Sequence, residues 1–344
     1  MELLDKIGLS QADLAERTGR PKKTINEIVK GKAAITPETA LQFERVLGTP
    51  ASYWVSLEQL YRSAVARQEE TKRLGKHVSW LTNFPIAEMI KRGWLEDRTE
   101  KVELLQQLLT FFGVASPDAW EDIWSSGKEA AAFRRQESRA TNRHLLAAWL
   151  RQGEVLGKSV KCDPFDVSRF KDALTEVREL TSHDDIRISS EAMKVICAKA
   201  GVAVVFVPEF PKLGVFGATR WLSQDKALIQ LSLHYKRADQ FWFSFFHEAG
   251  HILLHGKREI FVEEKGLVNR EEEEANKFAA DFLIPPHTYN KFLEGDDFSK
   301  AAILAFARQL KIAPNIIVGR LQREKKVGFN ERHDLIVWLQ WAHA

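Results

Sequence analysis

Apolar residues recur at helical spacing from the start of the chain. Ser10 caps a first helix with Asp13 three residues on, and Leu14 and Ala15 turn inward, Ala15 being small enough for a second helix to cross closely. Gly19 makes the turn, Pro21 opens the next helix, Ile25 and Ile28 give its packing stripe, and Gly31 ends it. From Gln11 to Lys30 this is the rhythm of a helix-turn-helix. Thr36, Pro37 and Glu38 start a further helix, with Leu41, Val46 and Leu47 as its core stripe and Gly48 as its stop. The helix from Ser52, carrying Tyr53, Trp54, Leu57, Leu60 and Tyr61, either closes that core or forms a dimer face.

Over residues 68–76 the pattern turns charged and loses its apolar rhythm, which predicts a linker. From about 80 to 180 the pattern is helical again. Leu104, Leu105, Leu108, Leu109, Phe111 and Phe112 form one apolar segment ending near Gly113. Ser116, Pro117 and Asp118 open another helix toward Trp120 and Trp124, which read as core. Arg134, Arg135, Arg139, Arg143 and His144 read as a solvated basic face.

Near residue 189 the period changes. A helix over 190–200 precedes a β-branched strand over 202–207, then strands over 213–219 and 227–233 joined around 221–225. The expectation is a small antiparallel sheet whose edge can hold an extended peptide. After Pro285 and Pro286 a helical tail runs to Ala344 with a second helix-turn-helix rhythm, Lys311 standing where a turn glycine is expected. We read that tail as packing rather than as a second DNA reader.

Composition narrows the class. With 344 residues, 44% of them hydrophobic, the chain has room for two or three domains, and no apolar run reaches the length of a membrane span. The first residues, Met1 to Asp5, lack a signal-peptide pattern, so the expectation is a cytoplasmic protein without a membrane partner. Cys162 and Cys197 lie far apart and read as free thiols. A net charge of +3 decides nothing about nucleic acid. Local charge does: Lys22, Lys23, Thr24, Asn26 and Lys30 fall on exposed positions of the second helix, with Arg20 beside it. The cations can neutralise phosphates, while Thr24 and Asn26 can reach base edges of double-stranded DNA in the major groove.

The chemistry concentrates in the apolar run over 241–254. At about 3.6 residues per turn, His247 and His251 of His247-Glu248-Ala249-Gly250-His251 lie on one helix face, with Glu248 beside them. Two imidazoles that bind Zn2+ and a carboxylate that can deprotonate a water are the parts of a zinc hydrolase. A third ligand must come from elsewhere. In the segment over 271–282 the stripe is Ala275, Phe278, Ala279 and Phe282; Glu273 points away from it, Glu274 lies to its side, and Glu271 and Glu272 lie nearest. Phase alone leaves Glu271 and Glu272. For the oxyanion, His234, Tyr235, His255, His287 and Tyr289 flank the motif, and Tyr235 is the first choice.

The stretches FHEAGHILLHG and EEEANKFAADFLIP resemble the ImmA/IrrE family of zinc metallopeptidases, a gluzincin type. That resemblance implies Glu272 as third ligand and Asn276, four residues on, as its supporting neighbour. A metzincin would need Gly and His where this chain has Leu254 and Lys257. The N-terminal seventy or so residues resemble the HigA-type branch of the XRE family, whose members bind palindromic operators as dimers, so a homodimer is expected by resemblance.

The expected fold class is thus α+β: an all-α helix-turn-helix domain over 1–75, a helical linker region over 76–185, a minimal zincin-like domain over 186–290 and a helical extension over 291–344. Two functions follow. In the first, a DNA-binding regulator carries a zinc endopeptidase that cleaves a partner encoded nearby, such as a repressor or toxin. In the alternative, a HigA-like antitoxin or repressor uses the peptidase-like domain only as a sensor. Intact His247, Glu248, His251 and Glu272 favour the first.

Overall fold

The computed structural model describes residues 2–126, 143–183, 185–234, 236–257, 260–264 and 270–341. The chain divides into two compact units, residues 1–79 with 100–102, and residues 80–99 with 103–344.

In the first unit, α1 (Glu2–Lys6), α2 (Gln11–Thr18), α3 (Lys22–Val29) and α4 (Pro37–Leu47) enclose a core of Leu4, Leu14, Ala15, Ile25 and Phe43. Ser10 caps α2 reciprocally with Asp13, and Gly19 takes the left-handed conformation that ends it, φ +68°. Pro37 at the first turn of α4 and left-handed Gly48 after it set that helix's bounds. The core stripe of α4 differs from expectation: Leu41 is exposed, and Ala40 and Phe43 are buried in its place. Helix α5 (Ala51–Gly75) runs unbroken through the charged stretch expected as linker, because residues 68–70 and 72–74 are strong helix formers and no proline interrupts them. Of its aromatic stripe, Trp54 packs edge-on to Phe43 at 5.4 Å, whereas Tyr53, Leu57, Leu60 and Tyr61 are exposed.

The second unit starts with α6 (Ile86–Lys91), α7 (Lys101–Phe112, from residue 103 on), α8 (Pro117–Ser126) and α9 (Arg143–Ser159). Trp120 and Trp124 are core as expected. Arg134, Arg135 and Arg139 lie outside the described residues; His144 stacks flat on Trp120 at 4.9 Å instead of facing solvent. Helices α10 (Val167–Leu180) and α11 (Ile186–Lys199) lead into strands β1 (Val202–Phe206), β2 (Val215–Ser223) and β3 (Lys226–Leu231).

The sheet corrects the antiparallel expectation. Its order is β1-β3-β2-β4, with β4 (Phe261–Glu264) a strand the sequence pattern did not reveal, and β1 pairs parallel to β3 while β2 runs antiparallel to both its neighbours. The fold is α+β around a mixed sheet. Strand parity sorts its two faces. Leu228 and Gln230 point at α9, whose Gly153 and Gly157 leave no room for a Cβ against them. The alternate residues Ile229 and Leu231 join the core beneath α12 (Ala238–Leu254).

Helix α13 (Arg270–Leu283) crosses α12 closely, a Cβ on Gly250 falling 3.3 Å from Ala275 Cα. Helices α14 (Pro286–Glu294), α15 (Lys300–Leu310) and α16 (Pro314–Arg323) complete the core. Lys311 after α15 is left-handed at φ +54°, where the sequence called for a turn glycine. Among the described residues no single helix is long and apolar enough to cross a membrane.

Candidate metal centre

Burial of Phe241, Trp242, Phe245 and Phe246 fixes the rotation of α12, and the same rotation carries His247, Glu248 and His251 toward α13 and β2. His247 and His251 present Nε2 atoms 3.0 Å apart. Of the two carboxylates that helical phase left open, Glu272 meets them: Oε2 is 3.1 Å from His247 Nε2 and Oε1 3.5 Å from His251 Nε2. All three residues are buried, and their ligand atoms form a cluster that could hold a metal ion. Ligands about 2.0–2.2 Å from a tetrahedral centre lie roughly 3.3 Å from one another, and the three donors, 3.0–3.5 Å apart, are spaced compatibly with such a centre.

Glu248 follows His247 directly on α12 and interacts electrostatically with it. Thr219 of β2 donates to its Oε2 at 2.6 Å and to its main-chain oxygen at 3.1 Å, leaving the buried Oε1 without a hydrogen-bond partner among the described residues. Gly217, two positions along the same strand face, makes room for it; a Cβ there would fall 2.6 Å from Oε1. A carboxylate so placed, with one oxygen anchored by Thr219, the other unpartnered and His247 in electrostatic reach, is equipped to hold a proton.

Electrostatics follow from burial. Desolvation raises Glu248 well above the usual carboxylate range, and Glu263 and Glu272 reinforce it against His247 and Thr219. Burial opposes charging of His247, yet Glu263, Glu272 and Glu248 outweigh it and hold that imidazole up at about 9. His251 is pushed down to about 4 by burial and by the neighbouring His247, against Glu272. Glu272, despite its burial, is held down at about 2 by hydrogen bonds from the two histidines. The cluster is thus a buried histidine–carboxylate pair whose proton a divalent cation can replace.

His251 Nδ1 lies 2.9 Å from His255 Nδ1, and His255 Nε2 lies 3.3 Å from Glu274 Oε2. When His251 turns an unprotonated Nε2 to an ion, its single proton sits on Nδ1 and donates to His255, whose Nε2–H donates to Glu274, so His255 is placed to orient His251. Phe261 of β4 stacks on His251 at 4.2 Å. Asn276, one turn beyond Glu272, accepts a hydrogen bond from Arg323 at 3.3 Å. His234 pairs with Glu209 at 3.4 Å, and Tyr289 donates to Glu324 at 2.9 Å, which commits both elsewhere. Tyr235 lies outside the described residues.

Sequence reasoning missed Glu263. It sits on β4 opposite Gly217, with an Oε2 shut off from solvent and lacking a hydrogen-bond partner among the described residues, and Ser244 donates to its carboxyl. Desolvation raises it, against His247 and Ser244. The apolar pair Phe261-Val262 ahead of Glu263 is the one local signal of this strand, too short to stand out.

In the first unit, Lys22, Lys23 and Lys30 are exposed on or just after α3, Lys23 lying 3.9 Å from Glu27. Thr24 is half-buried. Asn26 donates to Gln11 at 3.4 Å, and Arg20 donates to Gln42 at 2.5 Å and lies 4.0 Å from Glu38. Arg20 and Asn26 thus tie helices together, and the lysines form the open basic face.

Comparison with known proteins divides the chain the same way. A helix-turn-helix family model matches residues 1–54, and a peptidase-family model described as the IrrE N-terminal-like domain matches residues 200–321. Virulence-associated protein I of Dichelobacter nodosus is 35% identical over 69 residues, 20% of this chain and 64% of that protein. The uncharacterized HTH-type transcriptional regulator YddM of Escherichia coli is 30% identical over 67 residues, 20% of this chain and 71% of its own. Virulence-associated protein A of Dichelobacter nodosus is 34% identical over 59 residues, covering 17% of this chain and 58% of the relative. The chain thus spans less than two thirds of the length of both virulence-associated proteins. No solved structure matches it.

Proposed function

We propose that this chain, which belongs to the XRE-type helix-turn-helix family and carries an IrrE-like peptidase-family domain, is a DNA-binding regulator that acts as a zinc endopeptidase on a partner protein. The observation that carries the enzymatic half is the cluster: three donors 3.0–3.5 Å apart, with Glu248, next to His247 in the chain, keeping an unpartnered Oε1. His247, His251 and Glu272 would hold the ion, with His255 and Asn276 supporting them. Zinc, when bound, supplies Lewis acidity that acidifies a water and polarises a carbonyl.

Glu248 does the proton work. Its Oε1 accepts the proton of the attacking water and hands it to the leaving amine, while Thr219 keeps the other oxygen from turning away. The desolvation that raises its proton affinity suits it as a base. Lys22, Lys23 and Lys30 contact DNA phosphates, with Thr24 at a base edge and Arg20 and Asn26 holding the reading helix in place. A cytoplasmic setting and a repressor or toxin encoded nearby as substrate complete the reading.

The test is metal analysis of the purified chain, then incubation with the neighbouring operon's protein. Glu248→Gln is expected to keep zinc near one equivalent and to lose cleavage by at least ~100-fold. Absence of stoichiometric zinc in the parent sinks the enzyme; zinc without cleavage leaves the sensor reading.

A further inference from the structure

The His247 ring has a second nitrogen. Its Nε2 meets Glu272 and His251, while its Nδ1 is shut off from solvent and has no hydrogen-bond partner among the described residues. Glu263 carries the matching defect, an Oε2 that is also shut off and unpartnered. A ligand imidazole ordinarily donates its remaining N–H to a carboxylate, a carbonyl or a water, and a buried donor without an acceptor costs free energy. One atom lacks an acceptor where the other lacks a donor.

The fold brings these two residues together. Glu263 stands on β4 opposite Gly217 of β2, and residues directly opposite across an antiparallel pair share a sheet face. That face lies against α12 at the level of Glu248, since a Cβ on Gly217 would fall 2.6 Å from Glu248 Oε1. From α12, Ser244 donates to the Glu263 carboxyl, and Ser244 and His247, three residues apart, are neighbours on one helix face. The through-space charge of Glu263 accordingly acts on His247 more strongly than that of Glu248 or Glu272. The other two carboxylates are placed elsewhere. Glu272 meets Nε2, and Glu248, the next residue along, projects about 100° around the helix with one oxygen held by Thr219.

We propose that Glu263 is the positioning residue of His247: its Oε2 accepts the Nδ1–H, which fixes the tautomer of the ring and turns an unprotonated Nε2 to the ion. The inference rests on the zinc half of the proposed function and adds to it a residue from the sheet. Ser244 holds the carboxyl by its other oxygen. His251 has the corresponding support from His255 and Glu274. Each histidine ligand is thus backed by its own carboxylate, one on β4 and one on α13.

The zinc affinity of the full chain, measured by competition with a chromogenic chelator, tests this without turnover. Glu263→Ala is expected to raise the zinc Kd ~10–100-fold, and Glu263→Gln, which keeps an acceptor oxygen at the same reach, to recover part of that loss. NMR of the imidazole nitrogens in the zinc-loaded chain gives a second readout. The parent should show a slowly exchanging Nδ1–H on His247 that is lost in Glu263→Ala and moves upfield in Glu263→Gln. The Nδ1–H of His251 should stay in place in both, showing that the site is folded. Weaker zinc binding together with the altered His247 signal supports the inference, and the Gln variant alone decides it if the Ala variant does not fold. Parental affinity in the folded variants overturns it, as does weaker binding with the His247 signal unmoved, which would make Glu263 a source of charge only. A parent that binds no zinc overturns the inference and the peptidase together. The expected changes without cleavage of any peptide uphold the inference and count against the peptidase instead.

Discussion

The helix-turn-helix unit and the unit that carries the histidine–glutamate cluster place their candidate working residues at opposite extremes. On α3 the lysines are exposed and need only a correctly turned helix beneath them, which Ile25 and Ala15 provide from the core. In the second unit His247, Glu248, His251 and Glu272 are buried, and three elements, α12, α13 and β2, must meet before they form a site. A surface site can be altered without disturbing its scaffold. A buried one concentrates carboxylates and imidazoles where water cannot relieve them, and so costs stability until a cation arrives.

The largest expected effect exploits that contrast. Adding zinc to metal-free protein should raise the unfolding midpoint of the unit with the histidine–glutamate cluster and leave that of the helix-turn-helix unit unmoved. At a zinc concentration a thousand times Kd the linkage is worth about 4 kcal/mol. Scanning calorimetry with and without zinc reads it, His247→Ala serving as the control that should not respond. A zinc-induced shift in the first unit alone would reverse the assignment of the metal.

The same contrast explains what could be read from the sequence. Ser10, Gly19 and Pro21 act within a few residues of themselves, so the helix-turn-helix was legible almost whole. The His247–His251 face was legible too, since one helix period carries it. Glu272 needed a resemblance, because periodicity could not separate it from Glu271 across a helix interface. Glu263 was invisible: it reaches the site through a four-residue strand whose pairing with β2 no local pattern announces. The parallel pairing of β1 with β3 was missed for the same reason, since alternation gives a strand's faces and not its neighbour's direction. Leu41 and the exposed stripe of α5 were misplaced because helical spacing marks a face without saying what covers it.

A single methyl group separates packing from catalysis in the buried unit. Gly217→Ala puts a Cβ 2.6 Å from Glu248 Oε1 and 2.8 Å from its Cγ, so the base must move while the ligands on α12 and α13 need not. Cleavage is expected to fall ~100-fold, about 2.7 kcal/mol, with zinc content and DNA affinity unchanged. Full activity in that variant would mean that the anchored position of Glu248 is not the one used.

Acid should strain the second unit before the first. Burial works against the charge on Glu154 of α9, but Arg220 of β2 at 3.5 Å, Lys158 at 2.6 Å and Arg151 at 2.8 Å outweigh it and hold its carboxyl below the ordinary 4.5. A carboxyl depressed in the folded state adds stability above its unfolded value, and that stability is lost as pH falls below about 4.5. Glu154→Gln is therefore expected to cost ~1–2 kcal/mol at pH 7 and progressively less below that range, where both proteins carry a neutral side chain. Urea titrations of the pair at several pH values check this, and a constant difference across pH would remove the ionic link from α9.

The smallest change belongs to the exposed site. Replacing Lys22 and Lys23 with Ala removes two cations from the open face of α3, and Ile25 beneath them stays buried. Stability should move by less than ~0.5 kcal/mol, since neither lysine packs on the core. Operator affinity should drop ~10-fold near physiological salt, about 1.4 kcal/mol, and the dependence of log K on log salt should flatten by about 0.9 for each phosphate no longer neutralised. Salt-dependent mobility shifts measure both quantities. A weaker affinity with the slope unchanged would place the damage in the fold of α3 rather than in its charge. Affinity and slope both unchanged would move the DNA-reading face elsewhere on the unit. Zinc-dependent cleavage by the same double variant should stay at the parent level, because nothing in the buried site depends on a lysine that water already surrounds.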